Sequence, residues 1–581
     1  MFASIKSIIS EIIGQEVVLE LPKNKDFGHI ATPLAFSLAK EQKRSPLQIA
    51  QEICQKLESN PKSNAIFSKI SQINGYINLS LSADFFDECI AKAFENGLSY
   101  QKKDQTKDQK KDIDKNDLER RIETHARHAK SAQPTHKKEK ILLEYVSANP
   151  TGPLHIGHAR GAVYGDSLKR VGEYLGLDIT TEYYINDAGA QINKLAYSLA
   201  LAALKILGAK ALPQELLDAE QAGETYKGEY IIKTAQDCIE HFGKDFFLPQ
   251  VIMQNLNALK DFGKDIMLGI IKENLQNLNI TFDNFVSEKS LYAQWGETLD
   301  ELKAHNGIYE KDSKIWLKSS QFGDEKDRVV VRESGEETYL AGDIIYHRYK
   351  YMRGFSRLIN IWGADHHGYI PRVKSAMEFL GFDSSRLEVL LAQMVSLLKD
   401  GKPYKMSKRA GNFILVSEVL SEVSQDELRF VFLSKKPDTH LEFDIDTLSK
   451  EDSSNPIFYI NYANARIHTM MAKSALSEGE ILSAKIASLA SKEGEHSKQM
   501  MELAFASMLL PRIAEMAYDE RSLQKICEYL KNLAGAYHGF YNATKILDSQ
   551  NEALYLKISK LVSLSITQGL ALLGIKAKTK M

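Results

Sequence analysis

Cysteine is scarce in this chain, and the few present show no order. Four of 581 residues, Cys54, Cys89, Cys238 and Cys527, stand far apart with neither CxxC nor Cys/His spacing, so neither a disulfide framework nor a zinc site is indicated. Long hydrophobic runs are missing as well: nothing approaches the roughly 20 apolar residues of a membrane span. The N-terminus lacks the charged start, apolar core and small-residue cleavage site of a secretory signal, so a cytoplasmic protein away from any membrane is expected. An excess of one charge is also absent. Lys and Arg number 74 against 76 Asp and Glu, a net charge of −2, so contact with nucleic acid must rest on local patches. Within those exclusions the composition, 44% hydrophobic and 26% charged, is that of an ordinary globular protein.

Length forces subdivision. Single cores stop growing near roughly 250 to 300 residues, so two to four domains are expected. Residues 1–100 mix helical spacing with short alternating runs such as 73–79 and read as a small α+β module. Residues 101–140 hold no aromatic side chain and carry 13 basic against 8 acidic residues, which predicts a charged linker or insertion with little to bury. An apolar run at 141–146 breaks at Ser147-Ala148-Asn149-Pro150-Thr151-Gly152-Pro153, and helical spacing resumes over 154–175. Further strand candidates lie at 178–185, 329–331, 358–363 and 389–394, several separated by helical segments. This alternation predicts an α/β fold, a doubly wound parallel sheet of Rossmann type over 141–454, with ligands beyond the carboxyl ends of its strands. A helical insertion is expected at about 195–280. From 455 onward the spacing is almost wholly helical, with Asn455 as N-cap and Pro456 in the first helical position, so an all-α bundle over 455–581 is expected.

Two short motifs carry the chemistry. Leu154-His155-Ile156-Gly157-His158 opens the first helix of the α/β region, and Lys405-Met406-Ser407-Lys408-Arg409 lies far downstream. A strand, a loop and a helix N-terminus in succession suit phosphate binding. His155 and His158, three residues apart, share one side of the first turn, while Gly157 removes a side chain that would obstruct a nucleoside. Lys405 and Lys408 are flexible point charges suited to neutralising pyrophosphate. Attack of a carboxylate on the α-phosphorus of ATP needs such charge stabilisation more than covalent help. The pair therefore predicts adenylyl transfer from ATP, accompanied by Mg2+.

Together the motifs resemble the two signatures of class I aminoacyl-tRNA synthetases. The residues Glu144 through Pro153 that precede the first motif, with Tyr183-Tyr184-Ile185-Asn186-Asp187-Ala188-Gly189, Tyr339-Leu340-Ala341-Gly342-Asp343-Ile344 and Trp362-Gly363-Ala364-Asp365-His366-His367-Gly368, narrow the likeness to arginyl-tRNA synthetases. Both ends agree: Phe27-Gly28-His29-Ile30-Ala31-Thr32 is similar to that family's N-terminal tRNA-binding module, and Gly569-Leu570-Ala571-Leu572-Leu573-Gly574-Ile575 to the close of its anticodon-binding bundle. Only 101–140 falls outside the resemblance.

The resemblance implies L-arginine, ATP and tRNA(Arg) as substrates. A guanidinium is planar, permanently charged and has five donors, so its pocket needs carboxylates and neutral acceptors. By resemblance Asp343 and Glu288 receive it with Tyr339 alongside, Glu144 and Asn149 hold the α-amino group, and Ser147 and His366 complete the arginine site. Gly157, Gly363, Asp365, His366, Met406, Ser407 and Arg409 join His155 and His158 in binding ATP. Phe27 in the first module and Tyr459, Tyr462 and Arg466 in the bundle are expected to meet tRNA. Adjacent His366 and His367 diverge and have no third ligand at fitting spacing, so no metal site is expected. The family as a group needs bound tRNA to form the adenylate, and a monomer is expected. Two alternatives stand beside this reading: another HxGH-type nucleotidyltransferase acting on a small metabolite, and a catalytically silent tRNA-binding paralogue.

Overall fold

In the computed structural model, which describes residues 1–22, 24–99, 139–404, 414–490 and 495–581, the apolar run before the first motif forms the strand Lys140–Glu144. Ile141, Leu142 and Leu143 are buried on both faces, which requires cover above and below and places the strand centrally in a parallel sheet. Five strands pair in parallel in the order Leu387–Ala392, Arg357–Gly363, Lys140–Glu144, Asp178–Ile185, Asn284–Ser287. Numbered along the chain this is 3-2-1-4-5 read from one edge, the doubly wound arrangement. The winding reverses between Lys140–Glu144 and Arg357–Gly363, where Glu144 and Asn360 are register partners, and a crevice opens beyond the carboxyl ends of these two strands.

One strand expectation is corrected. Residues 329–331 belong to the strand Arg328–Val331 of a separate antiparallel sheet with Ile308–Lys311 and Lys314–Leu317. The parallel position falls instead to Asn284–Ser287, which is partly exposed along its length and too short to show a period. The charged stretch expected over 101–140 lies almost entirely outside the described residues.

The signature helix Ile156–Tyr174 buries Ala159, Ala162, Val163, Leu168 and Val171 against the sheet. Gly165 permits this approach, since a Cβ there would meet the Tyr145 ring at 2.4 Å. Between strands, helices Ala190–Ile206, Gln214–Gln221, Glu229–Phe242 and Leu256–Asn277 gather around a hydrophobic cluster of their own. The N-terminal module is a three-stranded antiparallel sheet, Ile30–Thr32, Tyr76–Leu81, Phe67–Ile73, covered by helices. The C-terminal region is a helical bundle beginning at Pro456–Lys473, whose first two free N–H groups are capped by Asn455 Oδ1 at 3.1 and 3.3 Å.

The two ends are fastened together. Asp87 of the first module accepts from the backbone N–H of Ile486 and Ala487 and pairs with Lys557 at 3.1 Å, both side chains being buried. The His29 ring lies 4.8 Å from Phe505, and the Leu98 N–H donates to Gln568.

Candidate active site

The chain leaves the central strand through a strained turn. Val146 and Ser147 adopt φ of 68° and 41°, a left-handed backbone that a β-branched residue strongly resists. The Ser147 N–H donates to the Tyr145 carbonyl at 3.0 Å, closing a turn of three residues. The result turns Ser147 back into the crevice: its hydroxyl donates to Glu144 at 2.9 Å and accepts from the Tyr184 N–H at 3.1 Å. Asn149 follows and donates to Gln191 at 2.5 Å. The insertion braces this loop, with Asn274 accepting from the Leu154 N–H and Tyr230 packed against Gly152.

His155 takes the N-cap position of the signature helix, and His158 sits one turn on. Their rings stack 3.5 Å apart, 23° from parallel. A Cβ on Gly157 would come within 3.1 Å of the His155 ring, so this glycine makes room for the stacked pair. Burial pushes His158 down to about 3, with the neighbouring His155 adding to it, and burial also lowers His155. Both are neutral N–H donors at pH 7, and His158 Nδ1 is buried without a partner among the described residues, the kind of atom a bound ligand satisfies.

Residues 405–409, and with them the roles expected of Lys405, Met406, Ser407, Lys408 and Arg409, lie outside the described residues. Their flanks are well fixed. The Tyr404 N–H donates to Leu397 at 2.8 Å on one side. On the other, Ile156 N–H donates to Ile414 and Val416 N–H to Leu154, both at 3.0 Å, so that His155 and Leu415 form an antiparallel bridge.

Across the crevice lies an acidic pocket. The helix Tyr339–Met352 carries Tyr339 at its mouth, 41% exposed, and Asp343 one turn further in on the same face. Glu288 opens a short helix opposite and packs so tightly on Gly342 that a Cβ there would meet Oε1 at 2.3 Å. Tyr292 donates to Glu288 at 3.1 Å and the Asn186 amide, oriented to suit its neighbours, at 2.7 Å. Burial, with Glu288 and Glu144 nearby, pushes the Asp343 carboxyl up to about 8; burial, with Asp187 nearby, pushes Glu288 up to about 7. A cation entering here would restore their charge.

Glu144 stands differently from its expected α-amino contact. It is 4% exposed, accepts from Ser147, and forms an ion pair with the fully buried Lys350. Gly363 ends the neighbouring strand, and Asp365 and His366 lie in the short helix that follows, with the His366 ring exposed, 6.4 Å from Trp362. Sequence reasoning missed Lys350, His347, Asn360, Tyr184, Tyr292 and Tyr346. The spacing of Asp343, His347 and Lys350 at four and then three residues was the available sign of a polar stripe along one face of the helix.

In the bundle, Arg466 donates to the Tyr462 hydroxyl at 2.8 Å and lies over the rings of Tyr462 and Tyr541 at 4.6 and 4.3 Å. A cavity of about 560 Å³ runs past them to Lys473, Lys545 and Met581. Tyr462 is 40% exposed there, whereas Tyr459 turns towards His538. Phe27 is exposed on the first module, before Gly28.

A reversing parallel sheet with paired histidines at a helix start, an acidic pocket opposite and a helical bundle behind defines a class I aminoacyl-tRNA synthetase. Residues 122–454 match the family described as "tRNA synthetases class I (R), catalytic domain", 460–581 the "DALR anticodon binding domain", and 2–81 the "Arginyl tRNA synthetase N terminal domain". A Wolinella succinogenes protein named "Arginine--tRNA ligase" is 51% identical over 581 residues, the whole of both chains. A relative of the same name from a Nitratiruptor species is 50% identical over 578 residues, 99% of each. A Campylobacter jejuni crystal structure, 48% identical, superposes with a TM-score of 0.74 over 86% of this chain and 100% of that one. The Thermus thermophilus arginyl-tRNA synthetase, at 19% identity and a TM-score of 0.71 over both whole chains, shares the fold. The chain belongs to the arginyl-tRNA synthetase family.

Proposed function

We propose the following division of labour in the arginine--tRNA ligase reaction of this chain. The guanidinium of L-arginine enters between Glu288 and Asp343, beside Tyr339, and Asn149 takes the α-amino group. Glu144, held by Ser147 and Lys350, adds negative charge from the floor. The arginine carboxylate is thereby aimed at the α-phosphorus of ATP, which Gly363, Asp365, His366 and the Gly157 turn hold. His155 and His158, neutral and stacked, donate to the phosphate oxygens as charge develops. Lys405 and Lys408, with Met406, Ser407 and Arg409, neutralise the departing pyrophosphate, and Mg2+ enters as part of the ATP substrate. The terminal adenosine hydroxyl of tRNA(Arg) then attacks the arginyl carbonyl and AMP leaves. The bundle reads unpaired bases with Tyr462 and Arg466, and Tyr459 supports them from behind. Phe27 meets the body of the tRNA.

The observation that carries this reading is the pair of carboxyls Glu288 and Asp343 packed about Gly342 and Tyr292, both raised by burial above the ordinary carboxylate range. No described helix is long and apolar enough to cross a membrane, and we read the enzyme as a cytoplasmic monomer, which light scattering on the purified chain tests. Incubation with each of the twenty amino acids, labelled ATP and total tRNA, with and without the RNA, tests the whole. Arginine alone is charged. Charging with another amino acid, or none, refutes the assignment, and the tRNA-free arm shows whether activation needs RNA.

A further inference from the structure

Lys350 is fully buried, and it meets the arginine site named above through Glu144 rather than by a substrate contact of its own. Its ammonium pairs with Glu144, donates to Asn360 Oδ1 at 3.0 Å and lies 4.2 Å from the centre of the Tyr346 ring. Asn360 and Glu144 are register partners on the two strands where the sheet reverses, so one ammonium ties both to the helix that carries Asp343.

The contacts continue in both directions with consistent donors. Asn360 Nδ2 donates to His347 Nε2 at 2.9 Å, which leaves the ring proton on Nδ1, and Nδ1 donates to the Asp343 carbonyl at 2.7 Å. Burial holds His347 far below its ordinary value, so it remains in this neutral form. On the other side, Ser147 donates to Glu144 and accepts from the Tyr184 N–H. Tyr184 stacks on Tyr346 at 4.0 Å, 14° from parallel, which returns the chain to the Lys350 helix. A lysine is suited to the centre of such a chain because three rotatable donors on one point charge reach a carboxylate and an amide together.

Resting on the arginine reading above, we propose that Lys350 is a positioning residue for the arginine pocket. It holds Glu144 and Asn360 in one hydrogen-bonded chain from Tyr184 to Asp343 and so sets the spacing of the two walls between which the guanidinium lies. An ion pair that served stability alone would be replaceable by apolar groups at little cost. A positioning pair is not, because a misplaced wall costs substrate binding selectively.

Aminoacylation kinetics of Lys350→Met and Asn360→Ala in the full chain, beside the wild type, provide the test. Lys350→Met raises the KM for arginine by at least about tenfold, with kcat within about threefold and the KM values for ATP and tRNA unchanged. Asn360→Ala keeps the ion pair but cuts the link to His347, and shifts the arginine KM in the same direction by a smaller factor. It decides the matter should Lys350→Met fail to fold. An unchanged arginine KM in Asn360→Ala, or a fall in kcat alone in either variant, overturns the proposal. A wild type that charges tRNA but not with arginine would overturn the reading beneath it instead.

Discussion

Burial raises the carboxyls of Asp343 and Glu288 to about 8 and about 7, and a guanidinium bound as proposed needs them as anions. Arginine binding must therefore expel protons. Because both carboxyls have folded-state values raised above those of an unfolded chain, their contribution to stability is full below the ordinary carboxylate range and is lost as pH rises through about 7 and 8. Arginine affinity accordingly strengthens between pH 6 and 8, with proton release at pH 7 that calorimetry in buffers of different ionisation enthalpy would detect; a buffer-independent heat would contradict it. Asp343→Asn removes a charged partner worth about 3 kcal/mol, so the arginine KM rises by about two orders of magnitude while the ATP KM holds. His158→Ala loses a donor to the developing phosphate charge and lowers kcat about 10²- to 10³-fold, with the arginine KM little changed. Glu144, Asn149, Tyr339 and Asp343 could be singled out from the sequence because they stand in contiguous blocks. Lys350 could not: a lysine is ordinarily solvated, and its burial depends on a carboxylate 206 positions away that only the sheet register brings near.

Among the elements, the segment after the lysine motif is stitched to the histidine turn by two hydrogen bonds. Val416 is the first residue of the helix Val416–Leu420, a position where proline fits the backbone, yet its N–H donates to Leu154. Val416→Pro thus removes one bond without breaking the helix. Stability falls by about 1 kcal/mol, while single-turnover adenylate formation slows and arginine binding is kept; an unaltered rate would show that the bridge does not align the two motifs. The central strand, the signature helix and the bundle were readable from burial periodicity. The strand Asn284–Ser287 was not, since four half-buried residues carry no period, and residues 329–331 misled because a β-branched run looks alike in a parallel and an antiparallel sheet.

For the whole molecule, the Asp87–Lys557 pair fastens the first module to the bundle, and on the proposed function this fixes the two surfaces assigned to tRNA in one frame. Asp87→Ala strands a buried ammonium, at a cost of about 3 to 5 kcal/mol. Hydrogen exchange then rises across residues 1–99 and the tRNA KM increases, while the arginine KM stays put; uniform exchange throughout the chain would refute a local role. The same pair constrains synthesis. Asp87 leaves the ribosome 470 residues ahead of Lys557, and at about 5 to 20 residues per second the interval is roughly 25 to 95 s. For that time the module's docking face is bare, and the nascent enzyme closes its ring only after its last long helix has emerged.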